Sequence, residues 1–312
     1  MSVSSESMQI VTAVRSNLET CILGKTFEIK LLMTALLAGG HVLIEDVPGT
    51  GKTQMIKALA RSMEGVYRRV QCNPDLLPTD ITGVSIYHPR EERFQFRPGP
   101  IMSHILLADE INRATPKTQS GLLEAMEERQ VSADGVTRPL PEPFFVIATQ
   151  NPAHQVGTFP LPESQLDRFL MCLSLGYPDA AAERALLMGE DRRAMLRTIA
   201  PVMQPAELME AQRGLRAIHA SGALIDYLQA LAQSSRSGQL FAEGLSPRAT
   251  LALLQAARAW AALEGRDHVI PEDIQTLLVP VCAHRLRPLK AAHGTAMASR
   301  DLVLQLQKSV PV

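Results

Sequence analysis

The chain is poor in aromatic residues, which make up 4% of its 312 residues and include a single tryptophan. A platform on which nucleic-acid bases stack needs several aromatic side chains, so we expect no extended surface of that kind. The charge is also nearly balanced, with 31 Lys and Arg against 32 Asp and Glu and a formal net charge of −1. This balance excludes a uniformly basic nucleic-acid or acidic-membrane binder, although it leaves room for a local basic patch.

The sequence also lacks paired cysteines, because Cys21, Cys72, Cys172 and Cys282 are scattered and form no CxxC pair. Neither a disulfide framework nor a tetrahedral zinc site is indicated, and we interpret the four as small buried residues in a reducing compartment. The first residues show no cationic start followed by an apolar run, and the most apolar stretch, 31–44, is too short and interrupted to span a bilayer. We therefore expect a cytoplasmic protein with no membrane insertion.

The first half of the chain alternates between helical and strand patterns. Apolar residues at three- and four-residue spacing predict a helix over 8–22, and a second helix over 27–37 ends at a pair of glycines. Five strands are predicted, over 41–46, 66–71, 105–108, 144–149 and 169–175. Four of them are nearly continuous apolar runs, which are typical of a parallel sheet covered by helices on both faces, while the more polar run 66–71 fits a position near an edge. The fold class predicted is therefore α/β.

Beyond Tyr177-Pro178 the strand signals stop and the apolar spacing is helical throughout. The helices predicted there cover 179–199, 205–220, 223–234, 247–263, 271–283 and 297–307. The chain length fits two domains of roughly 100–200 residues each. We predict an α/β core over 1–178 and a smaller, all-helical domain over 179–312, in whose core Trp260 is expected to lie.

A glycine-rich loop joins the predicted strand 41–46 to a helical segment, which is the setting that a phosphate-binding loop requires. Backbone N–H groups of such a loop and the following helix N-terminus attract anions. Lys52 is expected against the β- and γ-phosphates, and the Thr53 hydroxyl on Mg²⁺. The loop departs from the GxxxxGK[ST] pattern at its first position, where Asp46 replaces glycine, and the alternative is a glycine-rich turn with a surface lysine. The predicted nucleotide-binding residues are Pro48, Gly49, Thr50, Gly51, Lys52 and Thr53.

The apolar run 105–108 ends in two adjacent acids, Asp109 and Glu110. Because neighbouring side chains of a strand point to opposite sides, the two carboxylates can have different tasks. Asp109 is expected to hold Mg²⁺ and Glu110 to polarise an attacking water. The alternative, an ordinary acidic strand–turn junction, loses weight because a phosphate loop precedes it in the same chain.

Four strings occur in fixed order: GHVLIEDVPGTGKT, LLADEINRATPKTQSGLLEAMEERQV, FFVIATQNP and FPLPESQLDRFL. Together they resemble the MoxR group of AAA+ ATPases, densely over residues 23–178 and again at the SPRA stretch 246–249. The resemblance implies an AAA+ nucleotide core followed by a helical lid, assembled into a ring that is usually a hexamer.

The resemblance also implies roles for three further residues. Asn151 matches the sensor-1 residue that orients the attacking water, although Asn-Pro also suits a plain strand-ending turn. Arg168 matches an arginine finger that reaches the nucleotide of a neighbouring subunit, and its alternative is an ion pair with Asp167 or Glu163. Arg248 matches sensor 2, which contacts nucleotide from the lid of the same chain. Arg113 is expected near the phosphates without an assigned role.

Two insertions resemble the family's helix-2 insert and pre-sensor-1 hairpin, at residues 81–100 and 131–140. In a ring they are candidates for contact with the substrate, and the alternative is that each is an inert surface hairpin. The basic stretch 284–293 is interpreted as a solvated surface rather than a nucleic-acid site.

The predicted function is therefore that of an ATP- and Mg²⁺-dependent ring ATPase that remodels or matures other proteins. The resemblance implies a von Willebrand factor A domain protein as partner, and metalloenzymes or multi-subunit complexes as protein substrates. No stable nucleic-acid binding is expected. Two alternatives stay open: a nucleic-acid-stimulated motor, and a nucleotide-gated assembly scaffold.

Overall fold

The computed structural model describes residues 5–47, 49–151, 157–189, 192–289 and 299–311. The strands, in chain order, are β1 (His41–Glu45), β2 (Tyr67–Gln71), β3 (Gly83–His88), β4 (Arg93–Pro98), β5 (Ile105–Asp109), β6 (Gln130–Ala133), β7 (Val136–Pro139), β8 (Phe145–Gln150), β9 (Phe169–Leu173), β10 (Phe241–Glu243) and β11 (Arg287–Pro288). The helices are α1 (Ser5–Cys21), α2 (Thr26–Leu37), α3 (Lys52–Ser62), α4 (Pro78–Thr82), α5 (Pro116–Glu128), α6 (Glu163–Leu166), α7 (Ala180–Met188), α8 (Arg192–Thr198), α9 (Pro205–Gly214), α10 (Gly222–Ser235), α11 (Pro247–Leu263), α12 (Pro271–Cys282) and α13 (Ser299–Ser309). Short 3₁₀ turns span Ile111–Arg113 and Leu215–Ala217.

Five strands form one parallel sheet in the order β2-β5-β8-β1-β9. The α/β fold predicted from the apolar runs is thus confirmed, and β2, the more polar run, does lie at an edge. Because all five strands are parallel, their carboxyl ends meet at one edge of the sheet, and the loops that follow β1, β5 and β8 converge there.

The near-continuous apolar runs arise because both faces of the sheet are covered. In β1, Val42 and Ile44 belong to one hydrophobic core, while Leu43 belongs to the core on the other face. In β5, Leu106 and Leu107 divide between the two cores in the same way. Since successive side chains point to opposite faces, every position of a doubly covered strand must be apolar.

The part beyond residue 178 is mainly helical, with three differences from the prediction. The single helix expected over 179–199 is wrong: α7 ends at Met188, with Gly189 as its C-cap in an extended conformation. The helix expected over 205–220 ends at Gly214 and continues as a 3₁₀ turn. Strands β10 and β11 form a short antiparallel pair that two- and three-residue runs cannot reveal by periodicity. None of the helices in the described ranges is long and apolar enough to cross a membrane.

The helices before the sheet share a core with the helices after it. Helix α2 packs against α11, and α1 packs against α9. Trp260 of α11 is buried, as predicted, but its ring lies edge-on to Phe27 with centroids 5.9 Å apart and receives the Lys30 Nζ at 3.8 Å from the ring centroid. This contact joins α11 to α2, so the helical part is held against the amino-terminal helices as well as against the sheet.

Both predicted hairpins are present as antiparallel pairs, β3 with β4 and β6 with β7. The guanidinium of Arg138 in β7 lies 4.0 Å from the centre of the Phe96 ring in β4, which links the two hairpins. Tyr87 and Phe94 are exposed neighbours on the first hairpin, with ring centroids 5.3 Å apart.

Candidate active site

The phosphate loop connects the end of β1 to the start of α3. Gly49 and Gly51 have φ angles of 90° and 87°, a left-handed conformation that glycine adopts without strain. Lys52 is the first residue of α3, and its Nζ donates to the carbonyl oxygens of Asp46 (2.8 Å) and Val47 (3.1 Å). The lysine side chain thus folds back over the loop that precedes it.

The other loop residues are placed around this lysine. Thr50 is buried, and its Oγ1 lies 3.4 Å from the Val47 carbonyl oxygen. Thr53 is the second residue of α3 and is half-buried. Pro48, also predicted to bind nucleotide, lies outside the described residues.

Burial lowers the pKa of Lys52, whereas the carboxylates of Asp46, Asp109 and Glu110 act in the opposite direction. The loop follows β1 and the acid pair stands at the end of β5, so both lie at the carboxyl-terminal edge of the parallel sheet. That the two motifs work together stays a prediction from the sequence.

The two acids have different partners. Asp109 ends β5, and its Oδ1 accepts from the Thr149 hydroxyl (2.6 Å) while its Oδ2 accepts from the Arg69 guanidinium (2.6 Å). Glu110 has a φ of 55°, which is uncommon for a residue with a side chain, and its N–H donates to the Thr149 Oγ1 at 2.9 Å. The hydroxyl of Thr149 therefore binds both Asp109, through its side chain, and Glu110, through its backbone N–H.

The Glu110 carboxylate accepts hydrogen bonds from three elements. Asn151 Nδ2 donates to Oε1 at 3.3 Å, while Gln71 Nε2 and Arg113 Nη1 both donate to Oε2 at 3.1 Å. Donors of this kind hold a carboxylate in one orientation. The structure thus brings Asn151 and Arg113 to the same carboxylate, Glu110.

Gln71, Arg69 and Thr149 are site residues that the sequence reasoning missed. Gln71 and Asp109 are paired in register at the ends of β2 and β5, and Arg69 Nη2 also donates to Gln71 Oε1 at 2.8 Å. Their only signal is position: each is a polar residue at or near the carboxyl end of a strand in the sheet that carries the phosphate loop.

A cavity of about 220 Å³ adjoins the phosphate loop. Its lining includes Gly49 and Gly51 of the loop, Ile22 and Lys25 between α1 and α2, and Pro178 and Leu186 from the start of the helical part. A larger cavity, about 790 Å³, lies between β9 and α12 and touches none of the phosphate-loop residues from Gly49 to Thr53. Of these two cavities, the smaller one is continuous with the loop.

Arg168 and Arg248 lie where the strands of the sheet begin, at the end opposite to the phosphate loop. Both pair with Glu127 of α5: Arg168 Nε is 2.9 Å from Oε2, and Arg248 Nη1 is 2.7 Å from Oε1. They line a cavity of about 220 Å³ together with His41, the first residue of β1. At ~3.3 Å per residue, β1 separates this edge from the phosphate loop by about 13 Å.

Both arginines have partners that the sequence did not predict. Among the described residues, Arg248 contacts Glu127 rather than the phosphate loop of its own chain, because α11 begins at the amino-terminal edge of the sheet and the loop lies at the carboxyl-terminal edge. The ion pair considered as an alternative for Arg168 exists, but its partner is Glu127 rather than Asp167 or Glu163. Those two acids pair instead with Arg285 and Arg287.

The basic stretch 284–293 is in part buried rather than a solvated surface. The Arg285 side chain is 5% exposed, and its Nη2 donates to the Phe169 carbonyl oxygen at 2.7 Å. Burial and the neighbouring Arg285 lower the pKa of His284 to about 3, which keeps the imidazole neutral. These two side chains are therefore structural contacts between α12 and β9, while Lys290 and His293 lie outside the described residues.

The comparisons with known proteins agree with this architecture. Residues 41–171 match the family described as ATPase family associated with various cellular activities (AAA), and residues 233–305 match the AAA lid domain. The chaperone MoxR1 of Mycobacterium tuberculosis is 40% identical over 85% of this chain and 72% of its own length. The protein MoxR of Paracoccus denitrificans is 35% identical over 85% of each chain. This chain belongs to the MoxR family of AAA+ ATPases.

Two further relatives share nearly the whole length. The protein YeaC of Bacillus subtilis is 46% identical over 90% of this chain and 88% of its own. A crystal structure from Cytophaga hutchinsonii, of a protein provisionally named an ATPase, superposes with a TM-score of 0.88 at 32% identity and covers 98% of this chain and 96% of its own. Lys52, Glu110 and Arg168 lie in the segment that matches the AAA family, and Arg248 lies in the segment that matches the AAA lid domain.

Proposed function

We propose that this MoxR-family protein hydrolyses ATP at the carboxyl edge of the sheet. The observation that carries the proposal is the cluster around Glu110, whose carboxylate is held by Asn151, Gln71 and Arg113 beside a glycine-rich loop and its lysine. A carboxylate fixed in this way can orient a water and accept its proton, which is worth about 10²–10⁴ in rate.

The residues present fit Mg²⁺ as the accompanying ion. Mg²⁺ prefers oxygen donors, and the Thr53 hydroxyl and the Asp109 carboxylate supply them. Among the described residues, Asp109 Oδ1 accepts from Thr149 and Oδ2 from Arg69, and each carboxylate oxygen has a second lone pair. When bound, the ion would neutralise phosphate charge, while Lys52 would bind the β- and γ-phosphates and Asn151 would keep Glu110 oriented.

We further propose that Arg168 and Arg248 act together on the nucleotide of a neighbouring copy. The support is that both arginines lie at the amino-terminal end of the sheet, away from the phosphate loop of their own chain. There one carboxylate, that of Glu127, pairs with both guanidinium groups. Two unlike surfaces that meet in this way form a head-to-tail contact, which gives a ring when the rotation between successive copies closes. A hexamer is the expected size for the family.

The primary test is nucleotide binding and hydrolysis by the wild type and by Lys52→Ala, with Lys57→Ala as the matched control. Lys57 is exposed on the same helix, about one turn after Lys52. We expect ATP turnover by the wild type and by Lys57→Ala, and no measurable ATP binding by Lys52→Ala. Full binding by Lys52→Ala would contradict the assignment of the loop.

As the biological role we propose remodelling or maturation of protein complexes or metalloenzymes, together with a von Willebrand factor A domain protein. The support is the MoxR relationship, including a relative named as a chaperone. A Glu110→Gln variant loaded with ATP should retain such a partner, whereas Lys52→Ala should not. Capture by both variants alike would contradict nucleotide-dependent recruitment, and ATP turnover stimulated by DNA in a salt-sensitive way would favour the alternative of a nucleic-acid motor.

A further inference from the structure

Asp46 occupies the position at which the phosphate-loop pattern has its first glycine, and its side chain has a specific set of partners. The residue is 6% exposed. Its Oδ1 accepts from the N–H of Val47 at 2.8 Å, and its Oδ2 accepts from the N–H groups of Leu175 and Gly176, both at 2.7 Å. A carboxylate is suited to this place because it offers acceptors only, and hydrogen bonds to a charged acceptor are stronger than neutral ones.

The segment that Asp46 holds runs from β9 into the helical part. Leu175 and Gly176 follow the end of β9, and Asp179 begins the capping turn of α7. Lys25 holds the same segment from another direction, because its Nζ donates to the carbonyl oxygens of Leu175 and of Tyr177, the latter at 2.9 Å. Two buried charged side chains therefore share one short segment: Asp46 binds its N–H groups and Lys25 binds its carbonyl groups.

This segment is in direct contact with the proposed nucleotide site. Lys25, Pro178 and Leu186 line the cavity beside the phosphate loop, together with Gly49 and Gly51. In addition, Lys52 Nζ donates to the backbone carbonyl of Asp46 itself. One residue thus contacts the phosphate-binding lysine through its main chain and the connection to the helical part through its side chain.

We propose that Asp46 is a positioning residue that fastens the phosphate loop to Leu175–Gly176 and so couples nucleotide binding to the first helix of the helical part. The coupling rests on the proposed function, whereas the fastening does not. A glycine at this position has no side chain and would leave the N–H groups of Val47, Leu175 and Gly176 without this acceptor, in a place where unsatisfied donors are costly. The departure from the usual pattern is therefore functional in this chain.

The test compares Asp46→Gly, which restores the usual glycine, with Asp46→Asn, which keeps the shape but turns an NH₂ toward N–H donors. Two readouts are used: hydrogen exchange of the Leu175 and Gly176 amides in nucleotide-free protein, and ADP affinity by calorimetry. Asp179→Asn is the matched control. It lies in the same segment, its Oδ1 caps α7 through the Ala182 N–H at 2.7 Å, and asparagine caps equally well.

In the wild type both amides should be protected, and addition of ADP should slow their exchange further. In both Asp46 variants we expect exchange at the two amides to be about tenfold faster or more, and the Kd for ADP to rise about tenfold. The Asp179→Asn protein should match the wild type in both readouts. Thermal unfolding verifies that each variant is folded, and Asp46→Asn carries the test if Asp46→Gly does not fold.

Fast exchange of either amide in the wild type, or unchanged exchange in a folded Asp46 variant, would overturn the fastening. Faster exchange with unchanged ADP affinity would overturn the positioning of the phosphate loop. A wild type that binds no nucleotide would instead contradict the proposed function, and the exchange data from nucleotide-free protein would still decide on Asp46.

Discussion

The placement of Arg168 and Arg248 on one edge predicts how mixtures of inactive variants behave. Each active site would combine the phosphate loop of one copy with the paired arginines of its neighbour. The variants Lys52→Ala, Arg168→Ala and Arg248→Ala should each be inactive or nearly so alone. When two variants are mixed, the recovery of activity depends on whether their mutations affect different sides of the interface, the phosphate loop and the arginine pair, or the same side.

The expected magnitudes follow from counting interfaces. In rings assembled at random from equal amounts of Lys52→Ala and Arg168→Ala, about a quarter of the interfaces contain an intact loop facing intact arginines. We therefore expect about a quarter of wild-type turnover, if sites act independently. Lys52→Ala mixed with Arg248→Ala should give the same recovery. Arg168→Ala mixed with Arg248→Ala should give none, because every interface then has a defective arginine pair.

The assay is steady-state ATP turnover of the three mixtures, after mass photometry has verified mixed assemblies. The control is each variant mixed with an equal amount of itself. If Arg248 instead contacts nucleotide of its own chain, the Arg168→Ala and Arg248→Ala mixture recovers about a quarter of the activity, and the Lys52→Ala and Arg248→Ala mixture recovers none. That reversed pattern would refute the assignment of both arginines to the neighbouring site.

Three further predictions concern individual contacts. Gln71→Leu removes one donor to Glu110, so the turnover rate should fall about tenfold while ATP affinity stays within about twofold, and an unchanged rate would contradict a role for Gln71. Burial, aided by the nearby Arg129, lowers the pKa of His41 from 6.5 to about 3. In the unfolded chain the His41 imidazole takes up a proton below pH 6.5, whereas in the folded chain it does so only at about pH 3. As the pH falls between these values, His41 should therefore lower the free energy of unfolding by about 1.4 kcal/mol for each pH unit. The free energy of unfolding, measured by urea unfolding at pH 6 and at pH 4.5, should fall less between these two pH values for His41→Gln than for the wild type. An equal fall for both proteins would contradict a buried neutral imidazole. Arg113→Ala should lower turnover less than Asn151→Ala, since the Arg113 side chain is half exposed and an exposed ion pair contributes little; the reverse order would contradict this ranking.

The parallel sheet could be predicted from the sequence because successive residues of its central strands are apolar. Strands β1, β5 and β8 are apolar on both faces, and the two cores on either side of the sheet explain why. Lys52, Asp109 and Glu110 were proposed from the sequence for a related reason. Asp109 ends such a strand, Glu110 follows it, and Lys52 ends the glycine-rich loop that follows another, and parallel strands bring their carboxyl ends together.

The remaining site residues could not be found in this way. Gln71 and Arg69 lie on an edge strand whose polar residues are equally compatible with solvent, and only the register with β5 brings them to the acids. The position of Arg248 depends on where the amino end of α11 packs against the sheet, which apolar spacing within one helix does not determine. The role of Asp46 depends on a contact between residues about 130 positions apart in the chain.

The most direct test of the proposed ATPase site is the fate of bound ATP in Glu110→Gln. A glutamine keeps the shape of Glu110 but cannot accept a proton from water. In a single-turnover experiment we expect ATP affinity within about threefold of the wild type and a hydrolysis rate lower by about 10²–10⁴. Glu124→Gln, an exposed position on α5, should behave as the wild type. Hydrolysis by Glu110→Gln at the wild-type rate would contradict the account.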